Sequence, residues 1–141
     1  MARRNIENAG LSMANNPPNL ELLEKGVGID DVDFIANYLD ATGIPRGNIR
    51  ELRRAVRRAL DTAGVPYESW VKVGARGAVA DFLIGGVAIR CEDSGQIDGI
   101  IGRVMRIAES RRIEGLILIT TRNIDVPPDI FGKPLNTVRP T

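Results

Sequence analysis

The sequence predicts an α/β protein in which helices flank a small mixed β-sheet. Three observations indicate this class: two amphipathic helical segments come first, two apolar strands follow as a hairpin, and a further helix leads into a continuously apolar strand. A strand that follows a helical crossover and is apolar at every position is typical of a buried parallel strand. The predicted order is therefore α-α-β-β-β-α-β, with one more strand near the end of the chain.

Two helices are predicted before the first strand. The first extends from Asp30 to Thr42, because apolar residues recur there at helical spacing and Gly43 can end it. The second follows Asn48, which can serve as its N-cap. Its apolar stripe continues to Gly64, where the helix stops, and a proline two residues later prevents it from resuming.

Three strands are predicted after the second helix, over residues 70–73, 79–84 and 87–91. Gly85 and Gly86 join the second and third of these as a two-residue hairpin turn. Because both strands are apolar at nearly every position, we expect the sheet to be covered on both faces.

The rest of the chain continues the α/β pattern. Residues 96–109 predict a helix in which Ile97 is among the residues that face the sheet, while Arg103 points away from it. The run GLILIT at 115–120 predicts the buried parallel strand, and residues 135–138 predict a last edge strand.

The chain divides into three parts by composition. Residues 1–28, which are punctuated by Asn and Pro, predict an irregular N-terminal arm. Residues 29–45 predict an accessory helix, and residues 46–141 predict the main α/β domain. An arm of this kind on a small domain can wrap a neighbouring subunit, so we expect a homo-oligomer or a part of a larger assembly.

Composition excludes several classes of function. The 141 residues are 43% hydrophobic and 26% charged, which is ordinary for a globular protein, and the formal net charge is only +1. Histidine is absent and cysteine occurs once, which excludes Ser-His-Asp chemistry, His-ligated zinc and an internal disulfide. No apolar run is long enough to cross a bilayer, so we expect no membrane partner and a cytoplasmic location, or one within an assembled particle.

Charge is segregated along the chain although its sum is small. Residues 20–45 contain six acidic side chains and one lysine, whereas the second helix carries many arginines. Five of these cover much of its polar circumference: Arg50, Arg53, Arg54, Arg57 and Arg58. Guanidinium groups suit phosphate oxygens, so this face can bind DNA or RNA. It can equally meet the acidic segment of the same chain, a neighbouring subunit or another protein.

The segment GVPYESWVKVGARGAVADFLIGGVAIRCEDSG, with IEGLILITTR and GKPLNTV after it, resembles the core of the PD-(D/E)XK nuclease superfamily. The resemblance covers roughly residues 46–139 and implies the restriction-endonuclease-like core, with the order α-β-β-β-α-β. In that family two carboxylates hold Mg²⁺, which orients a water molecule at the scissile phosphate, and a lysine assists.

The residues on that pattern depart from it. Asp81 matches the first acid of the family, but Arg90 stands where the second acid is expected and Glu92 where the lysine is expected. Arg103 occupies a position where related proteins often have Gln. The resemblance therefore implies a degenerate active site. Apart from catalysis, Asp81 can pair with Arg90 across the hairpin.

Three hypotheses on function follow from these residues. The first is a non-catalytic nucleic-acid-binding or structural assembly protein without a cofactor, of a kind that would suit a bacterial or phage accessory protein. The alternative is an active Mg²⁺-dependent DNA endonuclease with rearranged catalytic residues: Asp81 and Glu92 would hold the metal, and Lys72 or Arg90 would supply the cation. A domain that binds only proteins is the third interpretation.

Overall fold

The computed structural model describes residues 29–74 and 76–141. The predicted N-terminal arm, residues 1–28, lies outside the described residues. The described part contains three helices, α1 (Ile29–Thr42), α2 (Ile49–Ala63) and α3 (Ile97–Ala108). It also contains six strands: β1 (Glu68–Val73), β2 (Ala78–Ile84), β3 (Val87–Glu92), β4 (Gly115–Thr120), β5 (Asp129–Ile130) and β6 (Lys133–Val138).

The six strands form one mixed sheet in the order β1-β2-β3-β4-β6-β5. Strands β1, β2 and β3 are antiparallel neighbours, whereas β4 is parallel to both β3 and β6. The mixed α/β class is therefore confirmed, as is the parallel placement of the GLILIT strand, which is buried along its whole length. Residues 135–138, predicted as a last edge strand, belong to β6 and pair with β4, while the short strand β5 pairs with the first two residues of β6, which lie before the predicted range.

The ends of α2 follow from local chemistry. The Asn48 side chain accepts the backbone N–H of Glu51, and the Glu51 carboxylate accepts the backbone N–H of Asn48, so a capping box starts the helix. Gly64 ends it with a left-handed φ of 73°.

Helices cover both faces of the sheet. One apolar cluster joins α1 and α2 to one face, where it includes Leu39, Val56 and Ile119. A second cluster joins α3 to the opposite face, where it includes Val104 and Leu118. The prediction that the sheet is covered on both sides is confirmed.

The orientation of α3 differs from the sequence prediction at its first turn. Ile97 is 42% exposed, whereas Ile107 is buried against the sheet. The buried stripe is therefore formed by Ile100, Val104, Ile107 and Ala108. This rotation brings Arg103 within hydrogen-bonding distance of a carboxylate on β3, and the prediction that Arg103 points away from the sheet was wrong.

Helix α1 packs closely on the start of β4. A Cβ atom added at Gly115 would overlap Cγ2 of the fully buried Val32, so only a residue without a side chain lets the helix approach. The helix between residues 29 and 42 therefore contributes to the same core as α2.

We expect Gly115→Ala to destabilise the fold by about 1–3 kcal/mol, because the new methyl group overpacks the contact with Val32. Val32→Ala should reduce this cost, so that the double variant is at least about 0.5 kcal/mol more stable than the sum of the single effects predicts. Urea denaturation measures all three variants.

Gly102→Ala is the matched control, because a Cβ atom there meets nothing within 4 Å and the residue lies inside α3. It should be neutral or stabilising by up to about 1 kcal/mol. If the losses of stability in Gly115→Ala and Val32→Ala simply add in the double variant, this account of how α1 packs is contradicted.

Candidate functional site

The site lies where β2 and β3 separate. Their ladder pairs Phe82 with Ile89 and Ile84 with Val87, and it ends at Phe82 on β2. Beyond that point β3 continues beside β4 as far as Glu92, whereas β2 continues beside β1. The backbone groups at this fork would lose their partners without help from side chains.

Strands β1 and β2 are both distorted beside the fork. Ser69 pairs with Phe82 and Val71 with Ala80. Trp70 and Asp81 lie between these two pairs, and the register of β1 against β2 is the same before and after them. Phe82 nevertheless packs on the α1–α2 face and Ala80 on the α3 face, although residues two apart in a regular strand share a face. Trp70 has a left-handed φ of 55°, a strained conformation for a residue with a large side chain.

Two side chains bridge the fork. The buried Asp81 carboxylate accepts the backbone N–H of Cys91 on β3 at 2.7 Å through Oδ2. In the opposite direction, Arg90 Nη1 donates to the backbone carbonyl of Val79 on β2 at 2.9 Å. Each side chain thus satisfies a backbone group of the other strand.

The charge of Asp81 is balanced from α2. Arg53 Nε donates to Asp81 Oδ1 at 2.6 Å, while Arg90 Nε lies 4.0 Å from Asp81 Oδ2. The nearest cation to Asp81 is thus Arg53 and not Arg90, the partner that the sequence suggested. The Arg53 guanidinium also lies over the Trp70 ring, 4.9 Å from its centroid, which connects α2 to the strained residue of β1.

Glu92 binds two arginines. Arg90 Nε donates to Glu92 Oε2 at 2.8 Å, as expected for residues two apart on one face of a strand. Arg103 of α3 makes a two-pronged contact, with Nε on Oε2 and Nη2 on Oε1, both at 2.9 Å. Together with Arg53 and Asp81 these side chains form what we call the ion cluster: Arg53, Asp81, Arg90, Glu92 and Arg103.

Burial disfavours the charged form of Glu92, but the hydrogen bonds and charges of Arg103 and Arg90 outweigh it, so the pKa of this carboxyl lies below its ordinary value of 4.5. The hydrogen bond with Glu92 raises the pKa of the Arg103 guanidinium. Burial and the neighbouring Asp81 charge raise the pKa of the Cys91 thiol, which is therefore not a reactive nucleophile.

The ion cluster does not suit a divalent cation. Mg²⁺ needs free oxygen ligands, whereas one oxygen of Asp81 accepts Arg53, the other accepts a backbone N–H, and both oxygens of Glu92 accept guanidinium groups. Within the described residues no group of three or more His, Cys, Asp or Glu side chains could hold a metal ion.

The other predicted site residues lie apart from the cluster. Lys72 is exposed on β1 and makes no hydrogen bond or ion pair within the described residues. Asp93, which is not among the predicted site residues, follows Glu92 in the chain and accepts the backbone N–H of Ile49 at 2.6 Å, so it caps α2. Four of the five predicted α2 arginines are exposed: Arg50, Arg54, Arg57 and Arg58. Arg57 also lies 5.9 Å from the Phe82 ring centroid.

A cleft of about 270 Å³ opens beside the ion cluster on the α3 side of the sheet. Its charged and aromatic lining residues are Trp70, Arg76, Arg90, Arg103 and Arg106. The sequence analysis missed this cleft, because its arginines come from elements that are far apart in the chain. Arg76 lies in the turn before β2, whereas Arg103 and Arg106 lie one turn apart on α3. The spacing of residues 103 and 106 on one helix was the only local signal.

Comparison of the chain with protein-family models, with curated proteins and with solved structures found no match. Among the described residues no helix combines the length and the apolar character needed to span a bilayer. The function is therefore inferred from the site itself.

We expect Glu92→Gln to destabilise the protein at neutral pH by about 2–3 kcal/mol, because it leaves Arg90 and Arg103 without a counter-charge. The loss should stay below the ~3–5 kcal/mol of a fully buried pair, since the Arg103 side chain is 38% exposed.

The pH dependence follows from the lowered pKa of Glu92. At a pH above the ordinary pKa of 4.5, the ionised carboxyl of Glu92 stabilises the fold. This contribution is lost as the pH falls through the lowered pKa of the folded state. Urea denaturation between neutral pH and pH 3 should therefore show a flatter acid dependence for Glu92→Gln than for the wild type. The exposed Glu114→Gln is the control and should behave as wild type. Equal acid dependence in all three proteins would contradict the role of Glu92.

Proposed function

We propose that this protein is a non-catalytic nucleic-acid-binding protein on a degenerate restriction-endonuclease-like fold. The observation that carries the proposal is the exposed face of α2. We call it the arginine face: Arg50, Arg54, Arg57 and Arg58. Within the described residues Arg50, Arg54 and Arg58 make no ion pair or hydrogen bond, so their charges are available to a partner.

The geometry of the arginine face suits a phosphate backbone. At 100° and 1.5 Å per residue, the four side chains fall within an arc of about 100° and extend over about 12 Å along the helix. One nucleic-acid strand advances about 3.4 Å for each phosphate, so the face spans three or four phosphates. Arg53 lies on the same helix beside this arc and is held by Asp81, so the helix is anchored to the sheet. Within the part of the chain that the structure describes, the side chains of Arg50, Arg54 and Arg58 stay unpaired.

One described acidic residue of the segment 20–45 is directed away from the arginine helix. Asp33 of α1 accepts a hydrogen bond from Asn136 of β6, which places it toward that strand. The ion pair of α2 described above, between Arg53 and Asp81, leads to the sheet and not to α1. Residues 20–28 of the acidic segment lie outside the described residues, so a pairing of that part with the arginine helix stays a prediction.

Two observations support the degenerate nuclease-like interpretation. The order α2-β1-β2-β3-α3-β4 agrees with the α-β-β-β-α-β order that the sequence resemblance implies. Both candidate acids are already neutralised by arginines, which cannot act as proton acceptors near neutral pH. A hydrolytic water would thus have neither an available metal nor a base among these side chains.

We expect fluorescence anisotropy at low salt to show binding of labelled duplex DNA, with an affinity that falls steeply as salt is added. Arg54→Ala/Arg58→Ala should weaken binding on all sequences alike and reduce the slope of log K against log[salt] by about 2, because two phosphate contacts are lost.

Arg111→Ala/Arg139→Ala is the matched control. It removes two exposed arginines that have no described partner and lie outside α2, so affinity and slope should stay at the wild-type level. Negligible affinity of the wild type at low salt for duplex DNA and for RNA would refute the proposal. It would favour a protein partner, which sedimentation of Arg54→Glu/Arg57→Glu would then test.

The nuclease alternative predicts a different result. We expect no cleavage of linear, nicked or single-stranded DNA in the presence of Mg²⁺ or Mn²⁺. Cleavage by the wild type that disappears in a folded Asp81→Ala variant would overturn the non-catalytic assignment. Cleavage that persists in that variant would indicate a contaminating nuclease. Asp81 would then have no catalytic role, which agrees with the proposal. Circular dichroism establishes that the variant is folded.

A further inference from the structure

We infer that the cleft beside the ion cluster binds a nucleoside phosphomonoester, with the phosphate on Arg76 and Arg106 and the base on Trp70. This deepens the proposed nucleic-acid-binding function, because it assigns a second site to a terminal nucleotide. The cleft lies on the α3 side of the sheet, whereas the arginine face lies on α2, so the two sites can be tested separately.

The charge of the cleft matches a dianion. Four arginines line it, and three carboxylates form ion pairs with them: Asp81, Glu92 and Glu109. Asp81 is also paired with Arg53 of α2, so five arginines face three carboxylates. This leaves a surplus of two positive charges. A phosphomonoester carries close to two negative charges above its second pKa of about 6, whereas a phosphodiester carries one. The balance therefore favours a terminal phosphate over an internal one.

Two of the arginines are free to bind an anion. Arg106 is exposed and makes no ion pair or hydrogen bond within the described residues. Arg76 contacts Glu109 at 2.9 Å, but both side chains are largely exposed, so this pair contributes little and can open. Arg90 and Arg103 remain bound to Glu92 and supply a fixed positive wall.

Trp70 gives the cleft an aromatic surface. The residue is 57% exposed, which is unusual for a tryptophan, and its left-handed backbone holds it beside the fork. Arg53 lies against the ring and helps to fix its position. An exposed, fixed ring beside a cationic pocket is the arrangement on which a nucleobase stacks.

The size of the cleft limits the ligand. Its volume of about 270 Å³ is just below the ~300 Å³ at which small-molecule pockets begin. The cleft therefore suits a ligand no larger than a single nucleotide and excludes a duplex. Duplex binding must therefore use another surface, which the arginine face provides.

Trp70 is the only tryptophan in the chain, so its intrinsic fluorescence reports on the cleft directly. We would titrate the full-length protein at pH 7.5 and low salt with adenosine 5′-monophosphate, adenosine, inorganic phosphate and adenosine 3′,5′-cyclic monophosphate. The cyclic compound has the same base but a singly charged diester. The monophosphate should quench saturably and bind most tightly, and its affinity should fall at pH 5, where the phosphate is protonated.

Arg106→Ala should weaken monophosphate binding at least about tenfold, since it removes a charge-assisted hydrogen bond, and Arg106→Lys should restore part of it. Arg139→Ala is the control and should bind as wild type. Absence of saturable quenching, equal affinity for the monophosphate and the cyclic diester, or an unchanged Arg106→Ala variant would overturn the inference. Normal monophosphate binding by Arg54→Ala/Arg58→Ala would show that the cleft acts independently of the arginine face.

Discussion

The described structure depends on the exchange of hydrogen bonds across the fork between β2 and β3. Asp81 accepts the N–H of Cys91, and Arg90 donates to the carbonyl of Val79, so each strand satisfies the other through a side chain. Without these bonds, backbone groups at a half-buried position would lack partners, at a cost of about 1–3 kcal/mol each. The two strands can therefore diverge while the sheet stays intact.

Placing a carboxylate in the fork has consequences for the surrounding charges. Asp81 is 2% exposed and needs a cation, which α2 supplies through Arg53. Arg90 in turn needs an anion, which Glu92 supplies. Glu92 also accepts hydrogen bonds from Arg103 of α3. The ion cluster thus links α2, the sheet and α3 by contacts that depend on one another. In such a network the loss of one member leaves the next buried charge unpaired, so its members act as a unit.

The elements with local signals were predictable from the sequence, and the contacts between distant charged residues were not. The capping box at Asn48, the turn at Gly85 and Gly86 and the buried strand β4 each follow from residues within a few positions of one another. Arg53 and Asp81 are 28 positions apart, and Arg103 is 11 positions from Glu92, so only the docked helices bring them together. Periodicity treats both arginines as polar surface, because it cannot detect a long side chain that reaches a buried partner. Strand β5 has two residues and no periodicity to detect.

The order of charges on β3 determines which kind of ligand this region attracts. Two neighbouring strands that together present two acids and one lysine concentrate negative charge and attract a metal ion, which then draws in a phosphate. Here Arg90 and Glu92 keep the two-residue spacing, but the arginine precedes the acid, and Arg103 adds a second guanidinium to the same carboxylate. The local surplus is therefore positive without any metal. We propose that such a surface attracts phosphate directly. Both carboxylates are paired with guanidinium groups, so neither is available as a base for a hydrolytic water, and this charge order fits binding without cleavage.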